Sequence, residues 1–141
     1  MDVKAILTEP HRKWSSRPPP SEDAIEQLKQ TAPDALPKEY LALLRYTNGG
    51  EGPLSLPPLY FLLYDTDLAR EINHCADQQE LYTGHFVIGS NGGAETIAFD
   101  TRAGKPWPIV MYDAVAGTET EVTIANNMEE FIGAMGLEYQ E

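Results

Sequence analysis

Residues 85–125 read HFVIGSNGGAETIAFDTRAGKPWPIVMYDAVAGTETEVTIA, and this stretch decides the fold. Apolar and polar residues alternate here with a period of two, the repeat of a strand that buries one face. Four strands follow, at 85–89 (HFVIG), 95–100 (ETIAFD), 109–113 (IVMYD) and 119–125 (ETEVTIA), divided by turn residues. Ile97 and Phe99 share one face, as do Val122 and Ile124. The links between the strands are polar or glycine-bearing and too short for a helical crossover, so the four form an antiparallel meander.

Upstream of this block the period changes to that of a helix. Residues 36–50 (LPKEYLALLRYTNGG) place Leu36, Tyr40, Leu43, Leu44 and Thr47 at helical spacing, with Pro37 suited to the first turn. Asn48, Gly49 and Gly50 supply a left-handed termination, a structural role shared by Gly92 and Gly93 in the turn after the first strand. Ser21 caps an earlier helix of about three turns carrying Ile25 and Leu28. After a proline-rich loop, residues 59–64 (LYFLLY) form a fifth, buried strand. Asp65, Thr66 and Asp67 then cap a helix whose stripe is Leu68, Ile72 and Cys75, the cysteine being a small core residue. Asn127 and Glu130 make a capping box for a last helix with Met128, Phe131, Ile132 and Met135 buried, ended by Gly136. The fold class is therefore α+β: an antiparallel sheet of about five strands with helices packed mainly on one face.

Residues 1–20 stand apart as an extended, proline-rich leader ending in SSRPPP, laid on the surface and anchored by Trp14, and residues 21–141 form a single domain. A length of 141 residues suffices for one core without metal or disulfide support, and the one cysteine forms no internal disulfide. With no signal-like apolar region at the start and no apolar run long enough to cross a bilayer, a cytoplasmic location is expected.

The charge is asymmetric. Residues 1–50 balance, whereas residues 51–141 set fifteen acids against only Arg70, Arg102 and Lys105, which accounts for the whole net charge of -12. Such a surface repels nucleic acid and anionic membrane, and it suits a basic protein partner or simple solubility.

Signatures of chemistry are missing. Ser90 follows Gly89 directly, so no nucleophile elbow forms, and no glycine pattern matches a phosphate-binding loop. His74, Cys75 and His85 have no zinc spacing, and residues 65–70 break the calcium-loop pattern, so neither metal nor cofactor is expected. His85 reads as a strand-edge side chain. The pairs Asp65 with Asp67 and Glu119 with Glu121 could be mistaken for acid–base couples. Capping explains the first and a solvent-facing strand side the second. Binding remains, with Asp65, Asp67, Glu71, Glu95, Asp100, Asp113, Glu119 and Glu121 as candidate contacts that cannot all share one patch. Tyr60, Tyr64 and Trp107 are candidate aromatic anchors beside them.

The strings LPKEYL through TNGGEG (36–52), FVIGSNGG (86–93), IAFD (97–100) and MEEFI (128–132), in this order, resemble the SUKH superfamily, which includes the Smi/Knr-type yeast cell-wall regulator and bacterial immunity proteins. The resemblance covers about 21–137 and leaves the leader outside. It implies an α+β fold, no known catalytic activity, and protein binding, which in bacterial members means neutralising a toxin, often a nuclease or deaminase. Where many relatives carry Gly-Asp, this chain has Ala94-Glu95. The expected function is an immunity protein, monomeric or weakly dimeric, that occludes a basic toxin domain. The alternatives are a regulatory scaffold of the Smi/Knr kind and, behind it, a small-ligand binder or hydrolase using His85.

Overall fold

The computed structural model describes residues 1–74 and 84–140; Cys75, placed above on a helix stripe, lies outside them. Among the described residues the elements are α1 (Val3–Leu7), β1 (Ser15–Ser16), α2 (Glu22–Lys29), α3 (Lys38–Tyr46), β2 (Gly50–Pro53), β3 (Tyr60–Leu63), α4 (Thr66–His74), β4 (His85–Ser90), β5 (Glu95–Asp100), β6 (Ile109–Asp113), β7 (Gly117–Ala125) and α5 (Met128–Ala134). The strands form one sheet in chain order, each antiparallel to its neighbours. This is the α+β meander that the alternating pattern predicts, with seven strands in place of about five.

The two extra strands have a physical reason for escaping the sequence reading. Gly-Glu-Gly-Pro has no β-branched or aromatic residue, yet β2 pairs along its whole length with β3. Its glycines accommodate the backbone of the N-terminal segment. A Cβ on Gly50 would collide with the carbonyl of Ser15, and one on Gly52 with the carbonyl of Lys13. Gly50 also has φ +111°, where a side chain is strained in any case. That close approach lets Ser15 and Ser16 pair with β2 and lets the Trp14 ring settle 6.0 Å from that of Phe61.

The first twenty residues thus depart from an extended leader. Residues 3–7 are helical because Asp2 accepts a hydrogen bond from the Ala5 amide at 3.1 Å and because Val3 and Leu7, four apart, bury one face. A single apolar pair is too little periodicity to declare a helix. Trp14 anchors the segment as its size predicts.

The caps read from sequence hold the helices. Ser21 accepts from Ala24, Asp65 from Leu68 and Asn127 from Glu130. Two details differ: α2 is a two-turn helix of 8 residues, and the Glu130 side chain meets the Asn126 amide instead of closing the capping box on the Asn127 backbone. Helices α1, α2, α3 and α5 bury their apolar stripes against Phe61, Phe86, Ile97 and Phe99 on one face of the sheet. The Tyr40 ring stands edge-on to Phe99 at 5.4 Å and to Phe86 at 6.2 Å, contacts worth about 1 kcal/mol each beyond the area buried. The other face carries a smaller cluster of Val87, Ala98, Val110 and Tyr112, against which Tyr64 and Ile72 pack. Helix α4 reaches it from the sheet: Asn73 exchanges two hydrogen bonds with the Val87 backbone, at 2.9 and 2.8 Å, beyond the point where β3 stops pairing with β4.

Candidate protein-binding surface

The candidate contacts fall into three places. Asp65 caps α4, Asp67 lies in its first turn and Glu71 one turn further on. Glu95 and Asp113 are register partners at one end of β5 and β6, and Glu119 lies two residues beyond Gly117, itself the partner of Asp113. Asp100 and Glu121 belong to the second face of the sheet. The eight do not share one patch, as their spacing in the chain suggests.

Local geometry further separates them. Asp113 folds back on its own turn, accepting from the Val115 and Ala116 amides at 2.8 Å, and these bonds hold its carboxyl below the usual range. Asp65 is committed to capping α4, beside Asn48, whose Oδ1 accepts from the Thr66 amide at 2.8 Å. Asn48, Gly49 and Gly50 line, with Arg17 and Tyr64, a cleft of about 120 Å³. Its base is tied by Thr47, which donates to the Gly49 carbonyl and accepts from the Arg17 amide. In the β4–β5 turn Gly92 has positive φ, while Gly93 does not; there the Asn91 side chain accepts from the Gly93 and Glu95 amides.

Asp100 and Glu121 are engaged in internal ion pairs, and the solvent-facing placement of Glu121 requires correction. Glu121, expected on a solvent-facing strand side, points across the second sheet face, where its Oε1 lies 2.6 Å from His85 Nε2 and 2.8 Å from the Arg102 guanidinium. Arg102 also makes a double contact with Asp100, at 2.9 and 3.2 Å, and this hydrogen bonding holds the Asp100 carboxyl below its ordinary value despite partial burial. His85, expected at a strand edge, has a fully buried side chain, its ring edge-on to Tyr112 at 5.5 Å. Alternation along a strand cannot reveal this cluster, because its members come from β4, β5, the following turn and β7; the signal available was the coincidence of Asp-x-Arg (100–102) with one glutamate on the last strand.

The aromatic anchors also sort out. Trp107 is buried against Phe99 at 5.9 Å, with the Lys105 ammonium over its ring. Tyr64 is half-buried, and Tyr60 is 37% exposed, the only one of the three open enough to serve an interface. Val122, read as sharing a face with Ile124, is 50% exposed because β7 is the last strand and the helix layer reaches only its C-terminal part.

Among the described residues no group of His, Cys, Asp and Glu could hold a metal ion, and no helix is long and apolar enough to cross a membrane. Also among them, no ion pair engages Asp67, Glu71, Glu95 or Glu119. What the arrangement offers is an acidic surface on a rigid sheet and helix.

No curated protein matches the chain. A family model does match, over residues 19–134, most of the sheet and all but the first of the helices, and it is the family that the helix, Asn-Gly-Gly and strand motifs resemble: the chain belongs to the SMI1 / KNR4 family (SUKH-1).

Proposed function

We propose that this protein is a non-enzymatic binding domain that neutralises a cognate bacterial toxin, of nuclease or deaminase type, by covering its basic active site with an acidic surface. Family membership supports a protein-binding or immunity role. The observation that carries the finer reading is the set of carboxylates left without a basic partner among the described residues, Asp67, Glu71, Glu95 and Glu119, in a part of the chain that holds the entire net charge of -12. Unneutralised carboxylates on ordered elements attract a cationic cleft over several ångströms and speed encounter, while a few buried contacts set the dissociation rate.

The test uses any toxin domain found encoded beside the gene. Co-expression of the full chain is expected to restore growth, and the purified pair is expected to bind with an affinity that falls more than tenfold between about 50 and about 500 mM salt. Capture of signalling or cell-wall enzymes in place of a toxin, with no growth rescue, would overturn the reading in favour of a regulatory scaffold.

A further inference from the structure

The two edges of the sheet are unlike. Strand β1 is two residues long, whereas β7 runs for 9 residues, is the last strand of the sheet, and among the described residues has no strand on its outer side. Two register shifts bend β7 against β6, yet Val122 and Thr123 keep consecutive pairing with Met111 and Val110. Glu119, Thr120, Val122 and Thr123 are exposed. An open edge of β-branched residues is a template for another strand, and soluble proteins ordinarily blunt such an edge with lysine, proline or brevity. Lysine, proline and brevity are absent from the 9-residue strand GTETEVTIA, and although the two register shifts and the inward-turned Glu121 blunt part of the edge, Val122 and Thr123 keep regular pairing and stay exposed.

The charge around the edge selects what can pair with it. From residue 106 to residue 141 the sequence has no Lys, Arg or His. Glu119 lies on the strand, and Glu129 and Glu130 are exposed in the first turn of α5, just beyond its end. Glu121 does not contribute, because it is turned inward onto His85 and Arg102. A second copy pairing antiparallel along this edge would bring acids against acids, and an acidic strand from any partner would meet the same repulsion. An extended segment bearing lysine or arginine at alternate positions fits.

We infer that the outer edge of β7 receives a basic, extended segment of the protein partner by strand addition. Main-chain hydrogen bonds supply affinity along the strand, the basic side chains meet Glu119 and the α5 glutamates, and Val122 offers an apolar contact between them. This inference rests on the reading of a basic protein partner given above and names where it docks.

The test titrates the full-length, 15N-labelled chain with a blocked peptide alternating lysine and valine. Amides of residues 118–123 are expected to shift and gain exchange protection while those of α4 stay still. The affinity is expected to fall at least about tenfold at about 500 mM salt. Val122→Lys and Glu119→Lys are each expected to abolish the response. Absence of shifts, shifts centred on α4, an equal response to a glutamate–valine peptide, or broadening of β7 amides with protein concentration alone, the signature of a second copy on the edge, would each overturn the inference. The toxin domain separates the two readings. Peptide capture by a wild-type chain that neither binds nor neutralises a toxin supports the edge and sinks neutralisation. Unchanged toxin binding by Val122→Lys keeps neutralisation and sinks the edge.

Discussion

The outer side of β2 is covered by the N-terminal segment and the outer side of β7 is not, although both lie near the ends of the same antiparallel ladder. At the sealed edge, Trp14 lies over the glycines of β2, the Lys13 amide donates to the Gly136 carbonyl, and the Gly136 amide donates to the Pro53 carbonyl. Arg12, nearly buried, donates to the carbonyls of Gly133 and Met135 at 2.9 and 2.8 Å, supplying cationic caps to the C-terminal end of α5. Two chain segments more than a hundred residues apart thus close the backbone of one edge. At the other edge, among the described residues, β7 is held by the β6 ladder, by the inward reach of Glu121 and, at Ile124 and Ala125, by the helix layer, with no strand on its outer side. The contrast teaches that an exposed edge is not a default of this fold, since the same chain spends its first sixteen residues covering the opposite one.

The comparison can be broken most forcefully at Gly50. Gly50→Val puts a side chain into the Ser15 carbonyl at φ +111°, and it should expel the N-terminal segment and cost about 3 kcal/mol in urea unfolding. A loss below about 1 kcal/mol would mean that the sealed edge adapts easily. Next comes Arg12→Met, which keeps the stem but removes the two charge-assisted bonds to the end of α5. Its expected cost is about 2 kcal/mol, read as a lower urea midpoint at unchanged slope.

The inner tether of β7 is tested by pH. The Asp100 carboxyl is held below its ordinary value of 3.8 by hydrogen bonding to Arg102. A depressed carboxyl contributes stability that is full above the unfolded value and is lost as pH falls through the folded one. Arg102→Met removes the largest cause of the depression and leaves the bond from the residue 102 backbone amide, so the variant should be less stable than the wild type from about pH 5 to 7, with the gap narrowing as pH falls through the folded value. Parallel curves across the acid range would show that Arg102 acts through packing alone. The smallest effect belongs to the open edge, where Val122→Lys should change unfolding stability by no more than about 0.5 kcal/mol. A larger loss would reveal that β7 is already covered in solution.

Much of this molecule is legible in its sequence. Period-two alternation over Ile97 and Phe99, the helix from Lys38 to Tyr46 stopped by Asn48 and two glycines, and the caps at Ser21, Asp65 and Asn127 are local patterns, and each has its expected structure. The family motifs, being runs of such patterns in order, were legible for the same reason. The candidate site was legible only as a set of charges. Glu119 and Glu121 stand two apart on one strand, and nothing in that spacing says that one is free while the other is spent on His85.

By itself, then, the sequence determined the α+β class, the antiparallel order of the central strands, the buried stripes of α2, α3 and α5, and an acidic half with too few bases to neutralise it, whereas Leu68, expected on the buried stripe of α4, is 39% exposed. These follow from hydrophobic periodicity, cap chemistry and charge count, all of which act between near neighbours in the chain. Only the tertiary structure decided that Gly-Glu-Gly-Pro is a strand, that the N-terminal segment closes one edge, and which carboxylates are consumed internally. Those outcomes depend on backbone approach and ion pairing between residues as distant as Arg12 and Met135 or His85 and Glu121, and proximity of that kind exists only once the sheet has curled and the helices have packed upon it.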